Sequence, residues 1–339
     1  MTVFDSVPTP GRRVTLGSWP TPVEPAPRLA EAIGLAPGGL WLKRDDLGGL
    51  GGGGNKIRKL EWTIGAALTN GADTLVTTGA PQSNHARLTA AAGARLGLRV
   101  VLVFPGEPGR SSSGNLALDG LFGAEIHWAG DVDRGQLATV ATGIVDELRG
   151  GGARPELIPF GGSNAVGAYG YVEAGRELLV QVPDVDVVVV ELGSGGTMAG
   201  LVVALGAGRV LGVDVGALPE PAEAVAALAG RLDGTGVPAH ELRIRGDQVG
   251  DGYGHLTGPS AEALELTARS EGIVLDPIYT GRAMAGLAAA VRDGDIAPDA
   301  RTVFLHTGGL PGLFGHPDTI SRAESALGRY RPAPAGNAS

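Results

Sequence analysis

The strongest constraint on the fold is a regular alternation of strand-like and helix-like segments between residues 40 and 306. Short runs rich in Val, Leu and Thr alternate with longer segments whose apolar residues recur at helical spacing. The pattern predicts strands at residues 40–44, 74–78, 99–104, 125–128, 156–159, 186–192, 210–215 and 302–306. It predicts helices at 26–33, 83–96, 115–122, 136–149, 165–180, 197–205, 219–231, 260–271 and 281–292, and one that begins near Lys56.

Alternation of this kind indicates βαβ units, and therefore an α/β fold with parallel sheets and helices on both faces. The apolar run at residues 185–190, broken only by Asp186, is typical of a strand buried on both faces. Residues 1–26 are rich in Pro and are expected to be extended, and residues 331–339 are expected to form a disordered tail. The chain shows no internal repeat.

Composition narrows the classes of function. The chain has 339 residues, which allows one large domain or two, and its net charge of −9 argues against a nucleic-acid surface. It has neither a long apolar run nor the layout of a signal peptide, so we expect a cytoplasmic protein without a membrane partner. The absence of Cys excludes disulfides and thiolate chemistry, and the six His lack metal-ligand spacing, so no metal is expected.

Four consecutive glycines, residues 51–54, precede Asn55 and Lys56. Glycine permits backbone conformations and close approaches that a side chain forbids, and Asn55 is a residue type that favours a helix N-cap. Of the 27 basic residues only Lys43, Lys56 and Lys59 are lysines, and the other 24 are arginines. Arginine replaces lysine as a surface cation but not as an amine nucleophile. The stretch therefore suggests a Schiff-base lysine, although an ordinary solvated lysine fits the same residues equally well.

Four further loops follow predicted strands, where parallel sheets bind ligands. Ser83 and Asn84 begin a helix, where they could either bind an anion or simply cap the helix. Small residues then predict a cradle for a single phosphate, because successive N–H groups are exposed at a helix start; these are Gly193, Ser194, Gly195, Gly196 and Thr197. Tyr279 lies in a polar loop at 276–281. It could be a stacking platform, an acid or a packing residue. The fourth loop is 306–311.

A reactive lysine, a monophosphate cradle and a loop tyrosine together describe pyridoxal 5′-phosphate. The sequence resembles the 1-aminocyclopropane-1-carboxylate deaminase and D-cysteine desulfhydrase family of fold-type-II pyridoxal-phosphate enzymes. The resemblance runs in order from about residue 40 to residue 315. It rests on segments 43–47, 53–56, 58–61, 82–85, 161–164, 193–197, 276–281 and 306–311.

The resemblance implies a homodimer of two-domain subunits, with a large cofactor-binding domain at 1–58 and 166–339 and a small domain at 59–165. It implies that Lys56 forms the Schiff base and that residues 193–197 hold the phosphate. It places Asn84 on the phenolic oxygen of the cofactor, Tyr279 against its ring and Thr280 at its ring nitrogen. The substrate side is implied to consist of Gln82, Ser83, Asn84, His85 and Tyr253, with Lys56, Ser83, Tyr279 and Tyr253 as the catalytic residues.

Thr280 helps to choose the reaction. By the resemblance, deaminases of 1-aminocyclopropane-1-carboxylate have Glu at this position, and this Glu would keep the ring nitrogen of the cofactor protonated. Thr280 is neutral and cannot do so, so the cofactor should be a weaker electron sink here. His85 also resembles the desulfhydrase pattern. The resemblance thus implies α,β-elimination from a small amino acid, with D-cysteine as the lead substrate. Alternatives are deamination of 1-aminocyclopropane-1-carboxylate, elimination from L-cysteate or a related lyase reaction, and, from other classes, a non-catalytic cofactor-binding protein or a nucleotide-dependent oxidoreductase.

Overall fold

The structure is a computed structural model that describes residues 9–109 and 113–327. These residues form ten strands and twelve helices. The strands are β1 (Val23–Pro25), β2 (Leu40–Lys43), β3 (Thr74–Thr78), β4 (Arg99–Phe104), β5 (Glu125–Trp128), β6 (Pro155–Ile158), β7 (Val187–Leu192), β8 (Val210–Asp214), β9 (Arg243–Arg245) and β10 (Thr302–Leu305). The helices are α1 (Pro27–Ile33), α2 (Lys56–Thr69), α3 (Asn84–Leu96), α4 (Gly114–Leu121), α5 (Arg134–Gly150), α6 (Ala165–Gln181), α7 (Gly196–Leu205), α8 (Pro221–Asp233), α9 (Gly258–Glu271), α10 (Thr280–Arg292), α11 (Leu310–Phe314) and α12 (Pro317–Leu327).

The larger sheet has six strands in the order β1-β2-β10-β7-β8-β9, and only β1 runs antiparallel to its neighbour. Every residue of its central strand β7 is buried, because α6, α7 and α8 cover one face and α1, α9 and α10 cover the other. Val188 and Val190 pack into the first of these cores, and Val189 packs into the second. Burial of each valine stabilises the fold by about 1.5–3 kcal/mol.

The smaller sheet has four parallel strands in the order β5-β4-β3-β6. Helices α2 and α3 supply the core on one face, where Ile57, Leu60 and Leu88 are fully buried. Helix α5 covers the other face through Leu137, Ala141 and Val145. The carboxyl ends of both sheets turn towards a shared cleft, which positions the site described below.

The predicted α/β fold is confirmed, and both ends of every predicted element lie within two residues of the observed ones. Four elements were missed: β1, β9, α11 and α12. Strands β1 and β9 have three residues each and carry charged or Pro side chains at the edges of the sheet, so they lack an apolar alternation. The predicted tail at 331–339 lies outside the described residues.

The predicted domain division stays a prediction. The four strands of the smaller sheet all lie between residues 74 and 158, inside the predicted small domain at 59–165. The predicted boundary between residues 58 and 59, however, lies inside α2. In the described ranges no helix is long and apolar enough to cross a membrane.

Candidate active site

The candidate active site is a cleft between the two sheets, which we call the Lys56 cleft. Loops after β3, β6, β7 and β8 contribute to it, together with the first residues of α2 and α3. Its walls bring together eight of the predicted site residues, namely Lys56, Ser83, Asn84, His85, Gly193, Ser194, Tyr253 and Tyr279. Residues that sequence reasoning did not assign to the site also line it, including Asn55, Phe160 and Glu191.

The glycine loop places Lys56 at the first residue of α2. All four glycines at 51–54 have positive φ, and a Cβ on Gly53 would lie 1.7 Å from the carbonyl oxygen of Asp46. No side chain fits at that position, which explains why glycine is required. The backbone N–H of Asn55 donates to the carbonyl of Thr307 at 2.9 Å, and this bond ties the loop to the segment after β10.

Lys56 is a buried amine that is only weakly compensated by charge. The residue is 7 % exposed, and its Nζ lies 3.9 Å from Oε1 of Glu191, the carboxylate that forms its ion pair. Burial lowers the pKa of Lys56, and the charges of Glu191 and Asp276 oppose this shift. A lysine with a lowered pKa loses its proton more readily, which is what a nucleophile or general base requires.

Lys59 lies one helical turn further along α2 and is fully buried. Its Nζ donates to Oγ of Ser163 at 3.0 Å and to the carbonyl of Gly161 at 3.4 Å, and no carboxylate of the described residues lies within 4.0 Å of it. Burial lowers its pKa far below the usual value, and the charge of Lys56 adds to the effect. Sequence reasoning assigned Lys59 no role, although the scarcity of lysine in the chain was a signal that could have identified it.

The anion cradle is formed by Lys59, Ser163, Ser194, Gly195 and Gly196. The hydroxyls of Ser163 and Ser194 are 2.8 Å apart, and the backbone N–H of Gly196 donates to Oγ of Ser163 at 3.2 Å. A Cβ on Gly196 would lie 2.6 Å from that oxygen and 3.1 Å from Nζ of Lys59, so the cradle accepts only a bare backbone. Hydroxyls, N–H groups at the start of α7 and a buried ammonium together fit a phosphate monoester.

Of the predicted phosphate residues, Gly193 and Ser194 line the cleft, whereas Gly195, Gly196 and Thr197 form the turn into α7 beside it. Asn55 occupies the N-cap position of α2, as expected, but it does not cap the helix through its side chain. Its side chain makes no capping hydrogen bond, and its Nδ2 instead donates to Oε1 of Glu191 at 2.8 Å and to Oγ1 of Thr197 at 3.1 Å. Asn55 therefore joins α2 to β7 and α7, because these buried partners compete successfully with the helix end.

Ser83 and Asn84 occupy the start of α3. The hydroxyl of Ser83 accepts from the N–H of Ala86 at 3.1 Å, so Ser83 is the N-cap and its own hydroxyl hydrogen stays free to donate within the described structure. Nδ2 of Asn115 donates to Oδ1 of Asn84 at 3.0 Å, which fixes the amide so that its NH₂ group is the donor left to the cleft. Both residues thus present donors, as a carboxylate or phenolate ligand requires.

Gln82 does not line the Lys56 cleft. Its Oε1 accepts from the N–H of Asn115 at 2.9 Å and its Nε2 donates to the carbonyl of Ser113 at 3.0 Å, so the side chain fastens α4. Gln82 also lines an adjoining apolar pocket that shares Asn84, Tyr253 and Tyr279 with the cleft. A substrate-binding role for Gln82 stays a prediction.

His85 is a neutral hydrogen-bond acceptor in the wall of the cleft. The hydroxyl of Thr77 donates to the carbonyl of Ile158 at 2.9 Å, so it accepts from Nε2 of His85, also at 2.9 Å. This bond assigns the hydrogen to Nε2 and leaves Nδ1, which is buried and has no partner in the described structure, as an acceptor. Burial, with the charges of Lys56 and Lys59, lowers the pKa of His85 to about 3.

Tyr253 and Tyr279 form a pair in the wall of the Lys56 cleft. Their hydroxyls are 2.5 Å apart, and their rings meet edge to face with centroids 6.1 Å apart. Withdrawal of the hydroxyls from water raises the pKa of Tyr253 and raises that of Tyr279 well above the usual value. Both phenols are therefore protonated at neutral pH, and one hydrogen of the pair can be donated into the cleft.

Thr280 is fully buried at the first residue of α10 and does not line the cleft. Its hydroxyl donates to Oδ1 of Asp276 at 2.7 Å and accepts from the N–H of Asp276 at 2.8 Å. The same carboxylate accepts from the N–H groups of Ile278, Tyr279 and Thr280. Asp276 thus organises the loop of Tyr279, and contact between Thr280 and a cofactor ring stays a prediction.

A buried amine that faces an anion cradle, with phenol donors on the opposite wall, defines an α/β enzyme that forms a Schiff base with a phosphate-bearing carbonyl cofactor. Comparison with known sequences gives the family. Residues 14–308 match the profile described as "Pyridoxal-phosphate dependent enzyme", so the chain belongs to the pyridoxal-phosphate dependent enzyme family. The predicted cofactor, pyridoxal 5′-phosphate, and the predicted enzyme class are confirmed.

The chain is similar over most of its length to curated proteins and solved structures. It is 41% identical over 316 residues to a putative 1-aminocyclopropane-1-carboxylate deaminase of Pyrococcus abyssi, covering 89% of this chain and 93% of the relative. It is 40% identical over 324 residues to a D-cysteine desulfhydrase of Salmonella typhi, covering 90% and 96%. The crystal structure of an ACC deaminase homologue superposes with a TM-score of 0.82 at 38% identity, covering 92% and 96%. The predicted family resemblance and fold type are thereby confirmed.

Proposed function

We propose that this protein is a lyase that catalyses α,β-elimination from a small amino acid with a β leaving group, with D-cysteine as the lead substrate. The carrying observation is that the Lys56 cleft holds one buried amine able to accept a proton and a pair of protonated phenols able to donate one. The names of the relatives support both D-cysteine desulfhydrase and 1-aminocyclopropane-1-carboxylate deaminase activity. The neutral Thr280, whose hydroxyl hydrogen is directed at Asp276, favours the first.

The cofactor would be held by Lys56 and by the anion cradle, with Lys59 as the cation that balances its phosphate charge. Pyridoxal 5′-phosphate, when bound, supplies an electron sink that makes the α-proton of an attached amino acid acidic. The NH₂ group of Asn84 would donate to its phenolic oxygen, and the hydroxyl of Ser83 to the substrate carboxylate. These assignments follow from the donors that remain free in the cleft.

In the elimination itself, Nζ of Lys56 accepts the α-proton as the Cα–H bond breaks. The Cβ–S bond then breaks, the sulfur leaves with the bonding electron pair, and the Tyr253–Tyr279 pair donates the proton that makes it hydrogen sulfide. One water completes the balance, so that D-cysteine and water give pyruvate, ammonia and hydrogen sulfide. Tyr279 is the donor nearer the buried wall, and Tyr253, which is 39% exposed, lies at the mouth of the cleft.

A substrate panel tests the proposal. The purified holoenzyme is mixed separately with D-cysteine, L-cysteine, L-cysteate and 1-aminocyclopropane-1-carboxylate, and sulfide, sulfite and keto acids are assayed. We expect sulfide and pyruvate in equal amounts from a cysteine enantiomer. Release of 2-oxobutanoate from the cyclopropane substrate without turnover of either cysteine would establish the deaminase instead.

The homodimer, which the family resemblance implies, and the cytoplasmic location, which is expected from the sequence composition, are part of the same proposal. Exposed apolar side chains on α11, Leu310 at 45% and Phe314 at 58%, are available for a subunit contact close to the segment that holds the glycine loop. Sedimentation of the holoenzyme should give twice the chain mass, and cell fractionation should recover it with cytoplasmic markers. A monomer mass at micromolar concentration would contradict the dimer.

A further inference from the structure

Arg134 lies at the entrance of the Lys56 cleft. It lines what we call the entrance pocket, with Ala80, Phe160, Gly216, Ala217 and Tyr253, and four of these residues also line the cleft. The shared walls are Ala80, Phe160, Ala217 and Tyr253, which follow β3, β6 and β8 or precede α9. The entrance pocket therefore adjoins the cleft beside Tyr253.

The guanidinium of Arg134 is held in place by a ring rather than by a carboxylate. Its Cζ lies 4.0 Å from the centroid of the Phe160 ring, a cation–π distance. Within residues 9–109 and 113–327, no carboxylate lies within 4.0 Å of this guanidinium and no acceptor takes a hydrogen bond from it. Stacking uses the face of the guanidinium, so the N–H groups at its edge stay free to bind a ligand.

The backbone that carries Arg134 is also fixed. The residue is the first of α5, directly after Asp133, whose carboxylate accepts from the N–H of Gln136 at 2.9 Å. The side chain of Gln136 accepts in return from the N–H of Asp133 at 2.9 Å, which completes a capping box. A fixed helix start and a stacked side chain mean that little conformational entropy is lost when a ligand binds.

The net charge of the chain makes a cation at the entrance of the cleft important for binding an anionic substrate. The chain has a net charge of −9, so an anionic substrate approaches it against the overall field. Partial desolvation of the exposed Arg134 lowers its pKa and the phenols of Tyr253 and Tyr279 oppose this shift, but a guanidinium remains protonated at neutral pH. A planar cation with free edge N–H groups binds a carboxylate or sulfonate by two parallel hydrogen bonds.

We propose that Arg134, positioned by Phe160, makes the enzyme select β-substituted amino acids whose β substituent ends in an anionic oxygen group such as a carboxylate or sulfonate. The inference rests on the proposed elimination and names its substrate class. The α-carboxylate occupies the start of α3, and the distal anion lies at the entrance pocket. If the substituent is attached through sulfur, the Cβ–S bond breaks and the sulfur leaves as a thiolate that carries the anionic group. The Tyr253–Tyr279 pair then protonates this thiolate.

A matched pair of probes tests the selection: S-carboxymethylcysteine and S-carbamoylmethylcysteine, both of the enantiomer that the enzyme prefers. The two differ only by a carboxylate in place of an amide. They are measured as substrates and as competitive inhibitors of cysteine turnover, with the ratio of their kcat/KM or inhibition constants as the readout. We expect the wild type to prefer the carboxylate and Arg134→Gln to lower that ratio about ten- to a hundredfold, mainly through KM.

Three further variants separate charge, stacking and general damage. Arg134→Lys keeps the charge without the fork and should give an intermediate ratio, whereas Phe160→Leu should lower the ratio about two- to fivefold. Arg149→Gln removes an exposed arginine at the other end of α5, paired with Asp146, and should leave the ratio unchanged.

Equal effects of Arg134→Gln on both probes, or no wild-type preference, overturn the inference. Failure of the wild type to turn over any cysteine derivative would instead contradict the proposed elimination.

Discussion

Helix α2 takes part in two buried charge clusters that differ in how well their charges are compensated. On one side, Arg58 belongs to an ion-pair cluster formed with Lys43, Asp45, Tyr171 and Glu177. Arg58 donates to Asp45 at 2.9 Å and to Glu177 at 2.9 Å, and the hydroxyl of Tyr171 donates to Asp45 at 2.5 Å. Every cation there has a carboxylate at hydrogen-bond distance.

The second cluster is the lysine pair, Lys56 and Lys59. The carboxylate that pairs with Lys56 lies 3.9 Å from its Nζ, and the hydrogen bonds of Lys59 Nζ within the described residues go to a hydroxyl and a carbonyl. Burial lowers the pKa of both lysines, whereas the pKa of Arg58 is raised, since its carboxylate partners outweigh its burial. A buried cation with a carboxylate partner contributes to stability, because loss of either partner leaves the other charge buried and unpaired. A buried cation without such a partner is suited to binding an anionic ligand.

The largest expected effect is on catalysis. Lys56→Ala removes both the Schiff-base amine and the base, so kcat for the preferred substrate should fall at least about a thousandfold, and the visible absorbance of the Schiff base should disappear. Lys56→Arg is the matched control, because it keeps a buried cation that cannot react. It should be as inactive as Lys56→Ala. Turnover in either variant above a hundredth of the wild-type rate would contradict the role of Lys56.

The ion-pair cluster should respond in stability instead. Arg58→Met leaves Asp45 fully buried without its main partner, and this should lower the free energy of unfolding by about 3–5 kcal/mol, measured by urea denaturation of the cofactor-free protein. For comparison, Arg99→Met breaks an exposed pair with Glu125 and should cost no more than about 1 kcal/mol. Equal losses in the two variants would remove the distinction between the clusters.

Lys59→Met, like Arg58→Met, replaces a buried cation of α2 by methionine. It therefore compares the two charge clusters directly. Because Lys59 is buried without a carboxylate, its loss should leave the stability of the cofactor-free protein unchanged or raised. It should nevertheless weaken binding of pyridoxal 5′-phosphate about ten- to a hundredfold, measured by fluorescence titration, since a charge-assisted contact to the phosphate is lost. Destabilisation of the cofactor-free protein to the extent of Arg58→Met would show that Lys59 is a structural cation.

His85 should make the stability depend on pH. Its folded pKa of about 3 lies below the unfolded value of about 6.5, so the unfolded chain binds the extra proton. This contribution to stability is complete above pH 6.5 and is lost at about 1.4 kcal/mol per pH unit as the pH falls towards 3. Urea unfolding measured between pH 4 and 7 should show this slope in the wild type and a shallower slope in His85→Gln.

Features that depend on neighbouring residues could be predicted from the sequence, whereas features that depend on contacts between distant residues could not. Strand and helix positions such as β3 and β4 are set by local apolar period and were predicted to the residue. Lys56, Ser83 and Tyr279, which line the cleft, were predicted as site residues because each lies in or beside a segment whose composition is unusual by itself. The side-chain hydrogen bonds of Asn55 were not predicted, because its partners Glu191 and Thr197 are more than a hundred residues away and no local pattern reveals them.

The sequence alone determined that an amine, a small-residue turn and a set of hydroxyl and amide donors would follow the strands of parallel sheets. Local periodicity and glycine chemistry are short-range properties, so they can be read directly from the order of residues. Only the tertiary structure decided that Lys59 points at Ser163, that Thr280 is bonded to Asp276 and that Arg134 lies on Phe160. The burial that shifts the pKa values of the lysines, and the contacts that leave one arginine free, arise only when distant segments pack together.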